Sequence, residues 1–282
     1  MKNDKKVIWA WSMYDWANSV YSLVIISSIF PVYYENVTRH NDSDLVSFFG
    51  VEMINTVLYS YALSFSFLVV ASILPLLTGI ADFSGRRMFF MKAFVYIGSV
   101  SCMGLAFFTG ENVELGIILS ILASIAFSGS LVFYNSYLPQ IATIDKMDSV
   151  SAKGFSYGYI GSVLLLIINL LMIQKPEWFG IAPGGTAARI SFVMVGLWWL
   201  GFSQITFRFM PADKHLAGYG SRMLLNGYRE IRKVWNQLKE LPVTRTFLLS
   251  FLFYNTGVQT VMYMAAQFGS KVLHLEGGEL IM

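Results

Sequence analysis

Seven long apolar runs, each near the length of about 20 residues that a helix needs to cross a bilayer, constrain this chain more than any other feature. They cover residues 7–34, 56–80, 88–108, 115–138, 155–173, 188–210 and 246–269. Only 13% of the residues are charged, whereas soluble domains carry about 25%. The pattern therefore predicts an all-α fold, a polytopic membrane helix bundle.

The composition excludes several kinds of chemistry. The single cysteine, Cys102, lies inside an apolar run, and the three histidines fall in predicted loops. No disulfide framework or thiolate metal site is available, and haem, di-iron or zinc chemistry within the membrane is disfavoured. The basic residues are dispersed along the edges of the runs, which does not suit nucleic-acid binding. We therefore expect no metal, no cofactor and no nucleic-acid partner.

The distribution of basic residues predicts the orientation of the spans. If the amino terminus is inside, 16 of the 20 lysine and arginine residues fall on the inner side, as the positive-inside rule requires. Lys2, Lys5 and Lys6 resemble the start of a signal peptide, but the run that follows is too long and has no small-residue cleavage site. We expect a multi-pass protein of the cell (inner or plasma) membrane with a cytoplasmic amino terminus.

The first run carries an acid where lipid would be expected. Asp15 lies deep in this span, and an acid there costs about 2.5–3.5 kcal/mol on insertion scales. At helical spacing Trp11, Asp15, Asn18 and Ser22 fall on one stripe, with Tyr14 beside it. Because this stripe cannot face lipid, we expect it to face protein or a water-filled cavity. The carboxyl suits a proton carrier, a partner for a substrate ammonium group, or a fixed hydrogen bond to a neighbouring helix.

The fourth run adds polar residues near its predicted cytoplasmic end. Tyr134 and Asn135 are the candidates for the same pathway, although tyrosines there also suit an interfacial belt. No lysine or arginine sits in the middle of a span. A phosphate or multivalent anion is therefore disfavoured as a ligand, and a small zwitterion or neutral solute fits better.

Two further stretches indicate how the spans are arranged. Gly154 and Gly158 form a GxxxG pattern with Gly161 one turn on, which predicts close helix packing. Residues 224–241 predict an amphipathic helix with one apolar and one basic face. Such a helix suits a position flat on the inner membrane surface or packed on the bundle.

The loop between the second and third runs, TGIADFSGRRM at residues 78–88, resembles the signature loop of the major facilitator superfamily. Thr78 stands in place of the first glycine of that signature, and Phe83 replaces a common basic residue. The resemblance implies a conformational latch, and the alternative is a plain positive-inside turn. The matching residues are Asp82, Gly85, Arg86 and Arg87.

Four stretches together look like the autophagy-related vacuolar effluxer family and its bacterial relatives. They are YDWANS at 14–19, PLLTGIAD at 75–82, VFYNSYLPQIA at 132–142 and FLFYNTGVQTV at 251–261. The resemblance implies a secondary active transporter of the major facilitator type that moves a small solute, amino acids or similar, by proton-coupled efflux. Its partners would be a small-molecule substrate, the lipid bilayer and a coupling proton or ion.

The same resemblance implies two pseudo-symmetric halves, and members have about twelve spans. We expect residues 1–210 to form a six-span amino-terminal bundle and 211–245 a cytoplasmic linker. Residues 246–282 would then begin an incomplete carboxy-terminal bundle. YDWA at 14–17 parallels YNTG at 254–257, which adds Asn255 and, one turn on, Gln259 to the predicted substrate and proton pathway.

Other classes of membrane protein fit less well. Retinal binding is excluded because the seventh run has no lysine for a Schiff base, and an inside amino terminus opposes the usual receptor topology. A membrane-embedded enzyme would need a catalytic set, and Asp15 and Asp82 lie on different spans at different depths. We expect no enzyme activity. A non-transporting membrane scaffold stays open.

Overall fold

A computed structural model describes residues 2–39, 43–182, 185–213 and 223–273. The three histidines and residues 214–222 of the predicted linker lie outside these ranges. The helices are α1 (Lys5–Val20), α2 (Phe30–Thr38), α3 (Asn55–Ser84), α4 (Arg87–Gly104), α5 (Val113–Asn135), α6 (Leu138–Ile141), α7 (Met147–Gln174), α8 (Thr186–Phe209), α9 (Met223–Lys239) and α10 (Pro242–Lys271). Three short 3₁₀ helices cover Leu105–Phe107, Ile144–Lys146 and Pro176–Phe179.

Six helical segments of the described chain are long and apolar enough to cross a membrane. This confirms the predicted polytopic helix bundle. At the seventh predicted span, α10 is a helix of 30 residues that is less apolar than the six, because amide and hydroxyl residues interrupt it. Its crossing of the membrane stays a prediction. The six segments are Lys5–Thr38, Asn55–Ser84, Arg87–Phe107, Val113–Ile141, Ile144–Gln174 and Thr186–Phe209.

The first span is not a uniform α-helix. Between α1 and α2, residues Tyr21–Ile29 form a π-helix, in which each hydrogen bond reaches one residue further than in an α-helix. The Ser27 hydroxyl donates to the Ser22 carbonyl at 3.0 Å. The stripe predicted from α-helical spacing therefore ends where the π-helix begins.

The loop between the first two spans contains a β-hairpin that the sequence prediction missed. Strand β1 (Leu45–Phe48) pairs antiparallel with β2 (Val51–Ile54). Phe49 and Gly50 both have positive φ, at 49° and 82°, as a two-residue type I′ turn requires. The backbone N–H of Phe49 donates to the Glu114 carboxylate at 3.1 Å, so the hairpin is attached to the start of α5. Elsewhere in the described ranges the regular structure is helical.

Close helix packing sets the core. In the bundle α1 packs against α7 and α8, while α5 packs against α3 and α4. A methyl group added at Gly154, Gly158 or Gly161 of α7 would overlap residues of α1, which confirms the packing role predicted for these glycines. Helix α9 lies against α3, and α10 contacts the π-helical stretch and α2.

The loops predicted to be cytoplasmic share one end of the bundle. Asp4 caps α1 by accepting the N–H groups of Lys6 and Val7 at 2.8 and 3.1 Å, and these bonds hold the pKa of Asp4 below its ordinary value. The backbone N–H of Asn3 donates to the Ile141 carbonyl at 2.7 Å. This clustering agrees with the predicted topology, and the side of the membrane that it faces stays a prediction.

Candidate functional site

The carboxyl of Asp15 lies inside the bundle, where only 7% of the residue is exposed. The Tyr134 hydroxyl of α5 donates to Asp15 Oδ2 at 2.7 Å. The Tyr134 ring stacks on Trp11 with 4.3 Å between ring centroids, and Trp11 Nε1 donates to the Tyr134 carbonyl at 3.2 Å. The indole of Trp11 thus holds Tyr134 in the position from which it binds Asp15.

Helix α7 closes the other side of this carboxyl. Gly154 faces Asp15, and any Cβ at that position would overlap Asp15 Oδ2 and crowd both Trp11 and the Tyr134 hydroxyl. In the described part of the chain, the ion pairs are Arg39–Asp44 and Arg87–Asp82, so Asp15 has no cationic partner there. A buried carboxyl with one neutral donor can bind a proton or a substrate ammonium group.

The structure brings some of the other predicted pathway residues to this site. The Tyr14 ring lies 4.8 Å from that of Tyr134, and Asn18 is also fully buried. Ser22 is only half-buried, on the π-helical stretch. Asn135 is exposed at the last position of α5. The site at Asp15 therefore consists of Trp11, Tyr14, Asp15 and Tyr134.

A separate cleft of about 520 Å³ lies between α3, α5 and α10. The predicted residues Asn255 and Gln259 line it, whereas Asp15 does not. Ser128, Thr256 and Thr260 were not predicted, although the polar pairs at 255–256 and 259–260, one helical turn apart, point to one face. The lining side chains are uncharged: Phe67, Val70, Phe127, Ser128, Leu131, Val132, Asn255, Thr256, Gln259 and Thr260.

Two sets of polar contacts hold the loop between α3 and α4 in place. Gly85 ends α3 with a φ of 69°, a conformation that favours glycine. Arg87 pairs with Asp82 at 2.7 Å and donates to the Ser136 carbonyl at 3.4 Å. Arg86 directly precedes α4. The latch role of this loop stays a prediction.

The carboxylate of Asp213, just after α8, makes the second set of contacts with this loop. It accepts the backbone N–H groups of Met88 and Phe89 at 2.8 and 3.0 Å, where a helix amino terminus leaves such groups without partners. Asp213 was not predicted, although an acid three residues after the sixth apolar run was a usable signal. The start of the predicted linker is thereby tied to the loop that resembles the superfamily signature.

A family model described as "Vacuole effluxer Atg22 like" matches residues 3–282. The chain belongs to this family. The resemblance inferred from the four sequence stretches is therefore confirmed.

Curated relatives of this Atg22-like chain are bacterial and fungal. It is 30% identical to an uncharacterized MFS-type transporter, YxiO, of Bacillus subtilis, over 96% of this chain and 62% of the relative. It is 22% identical to autophagy-related protein 22-1 of Penicillium rubens, over 89% of this chain and 53% of the relative. The chain thus spans between half and two thirds of the length of these relatives. No solved structure gives a significant match.

Proposed function

We propose that the protein containing this chain is a secondary active transporter of the major facilitator type. It moves a small zwitterionic or neutral solute, amino acids or similar, by proton-coupled efflux. The observation that carries this proposal is the carboxyl of Asp15, which is buried inside a membrane bundle and bonded to the Tyr134 hydroxyl at 2.7 Å. Carboxyls in this setting are typical of proton relays in transporters.

The cleft beside α10 supports the proposed substrate class. Its volume of about 520 Å³ lies within the range of about 300–1,000 Å³ typical of small-molecule sites. Asn255 and Gln259 offer amide donors and acceptors, and Phe67, Val70 and Leu131 are among the apolar residues of the lining. Such a lining suits a solute whose charges cancel, since a net anion would need a cation.

The names of the relatives and of the family support the proposed direction of transport and the proposed class of transporter. The bacterial relative is named an MFS-type transporter, and the family model is described as a vacuole effluxer. Asp15 and Asp82, the acids considered for a catalytic pair, have different partners, Tyr134 and Arg87. Their separation favours a transporter over a membrane-embedded enzyme.

Transport by the purified protein tests the proposal. The protein, as its own genome encodes it, is reconstituted in proteoliposomes, and uptake of labelled amino acids is followed with and without a pH gradient. We expect Asp15→Asn to abolish accumulation driven by the gradient while exchange of the solute across the membrane continues, because the amide cannot carry a proton.

Asp148→Asn is the matched control, since Asp148 is an exposed acid in the first turn of α7. It should retain the full response to the gradient. Absence of any gradient-dependent amino-acid flux in the unaltered protein would refute the proposal. An Asp15→Asn variant with unchanged coupling would leave Asp15 with only a structural role.

A further inference from the structure

A second cavity, of about 350 Å³, lies where the α3–α4 loop meets α6 and the residues after α8. Its volume is near the lower end of the range of about 300–1,000 Å³ typical of small-molecule sites. No described residue lines both this cavity and the cleft beside α10. We call it the loop pocket, and its lining includes Asp82, Arg87, Tyr137, Gln140, Ala212 and Asp213.

A buried hydroxyl without a partner belongs to the lining of the loop pocket. Tyr137 is only 3% exposed, yet its hydroxyl has no hydrogen bond to any residue that the structure describes. Tyr134, three residues earlier, donates its hydroxyl to Asp15 at 2.7 Å. Because a buried polar group without a partner lowers stability, the unpaired hydroxyl of Tyr137 points to a ligand in the pocket.

The ion pair in the lining also keeps groups that can bind a ligand. Arg87 Nε donates to Asp82 Oδ1 at 2.7 Å, and Arg87 Nη1 donates to the Ser136 carbonyl at 3.4 Å. Asp82 Oδ2 and Arg87 Nη2 have no partner in the described chain. Both side chains are accessible, with 53% of Asp82 and 31% of Arg87 exposed. The loop pocket therefore offers one negative acceptor and one positive donor.

The second carboxylate of the lining leaves this balance of charge nearly unchanged. Both oxygens of Asp213 accept backbone N–H groups at the start of α4, where the positive end of the helix dipole offsets a negative charge. Gln140 donates to the Ser136 carbonyl at 3.1 Å and adds a neutral amide. A ligand that matches the pocket thus carries one charge of each sign.

Other classes of ligand match the loop pocket less well. A free anion would meet the carboxylates of Asp82 and Asp213, and a simple amine would meet the guanidinium of Arg87. A divalent cation prefers a set of oxygen ligands, whereas here a guanidinium lies against the carboxylate of Asp82. The charges of the lining therefore select against ligands with a net charge.

We infer that the loop pocket binds a small zwitterion, such as an amino acid with a short side chain. Its ammonium group donates to Asp82 Oδ2, and its carboxylate accepts from Arg87 Nη2 and the Tyr137 hydroxyl. Bonds between charged partners of this kind are among the stronger hydrogen bonds in proteins.

The loop pocket is independent of the transport proposal. Its ligand uses atoms that the contacts within the α3–α4 loop leave free, and the lining is charged, whereas that of the cleft beside α10 is not. A bound zwitterion would touch the α3–α4 loop while the pocket is closed by the residues after α8. The site therefore stands whether or not Asp15 carries a proton.

Protection of a cysteine placed in the pocket tests the inference. Ala212→Cys puts an exposed thiol in the lining, and the native Cys102 is fully buried. In the purified full-length protein in detergent, we expect glycine to slow the reaction of this thiol with a maleimide several-fold and saturably. Ser149→Cys, an exposed position on α7 outside the lining, is the matched control and should react at an unchanged rate.

Two comparison solutes test the class of ligand. Acetate carries only the negative group of glycine and methylammonium only the positive one, so neither should protect Ala212→Cys at the concentration at which glycine does. Absence of protection by glycine would overturn the inference, and so would equal protection by either comparison solute.

Three variants in the Ala212→Cys background locate the bound glycine. Tyr137→Phe keeps the ring and the contacts of the α3–α4 loop, and it should raise the glycine concentration for half-protection several-fold. Asp82→Asn should abolish protection. Gln259→Ala alters the cleft beside α10 and should leave protection unchanged. Unchanged protection in both Tyr137→Phe and Asp82→Asn would contradict the site, as would its loss in Gln259→Ala.

Discussion

The hydrogen bond and the packing of the Asp15 carboxyl are provided by residues that lie far from Asp15 in sequence. Its hydrogen-bond donor, Tyr134, is 119 residues away, and the residue that leaves room for its carboxyl, Gly154, is on a third helix. Asp15, Trp11 and Tyr134 could be selected from the sequence, because acids and clustered aromatic residues are conspicuous in a span. Their mutual contacts could not, since they depend on the register of three packed helices.

Tyr134→Phe tests the hydrogen bond from Tyr134 to Asp15 by removing a single hydroxyl group. Removing the donor leaves the buried carboxyl without its partner, so we expect the free energy of unfolding to fall by about 1–3 kcal/mol. The single cysteine, Cys102, is fully buried, and its reaction with a fluorogenic maleimide on heating reports unfolding.

The control for that experiment is Tyr159→Phe, which removes a hydroxyl from a tyrosine of α7 that is 70% exposed. It should unfold with the midpoint of the unaltered protein. If both variants unfold alike, the hydroxyl of Tyr134 contributes nothing measurable to the bundle.

At the scale of elements, the sequence located the spans well and their irregularities poorly. Apolar runs mark helices by length alone, so α3, α4, α5, α7 and α8 were readily found. The hairpin β1–β2 was not predicted, because two strands of four residues joined by a Phe-Gly turn give a much weaker sequence signal than an apolar run of 20 residues. The π-helix was missed because its residues read as an ordinary apolar run.

The glycine stripe of α7 gives a prediction about the α1–α7 contact. Gly154→Ala places a methyl group against the Asp15 carboxyl, so we expect a loss of about 1–3 kcal/mol in the free energy of unfolding. Gly201→Ala is the matched control, because no atom of another group lies within 4 Å of the added methyl. That variant should be neutral or more stable by up to about 1 kcal/mol. Thermal unfolding followed through Cys102 measures both, and equal losses would contradict the packing role.

At the scale of the whole molecule, contacts between distant loops agree with the topology read from charge. The Lys6 ammonium lies 4.3 Å from the Phe209 ring centroid, and Asp213 binds the start of α4. These contacts join the amino terminus, the α3–α4 loop and the end of α8 at one end of the bundle. The sequence could assign this end to the cytoplasm only through its basic residues, because nothing in the fold itself distinguishes the two sides of a membrane.

Labelling of single cysteines tests the orientation. Ile144 and Trp178, 86% and 70% exposed, lie in the short 3₁₀ helices that flank the two ends of α7. In intact cells we expect an impermeant maleimide to react with Trp178→Cys and not with Ile144→Cys until the membrane is permeabilised. The buried Cys102 should contribute no background. The reverse pattern would place the amino terminus outside.

The π-helix of the first span has a consequence for chain length. Because each hydrogen bond there spans one residue more than in an α-helix, the first span holds surplus chain at Tyr21–Ile29, between the regular helices α1 and α2. A residue removed from α2 would rotate the following turns by about 100° and misalign their buried faces. A residue removed from the π-helix would let the backbone close into ordinary α-helical pairing. We therefore expect the middle of the first span to tolerate the loss of a single residue while both flanking faces keep their partners.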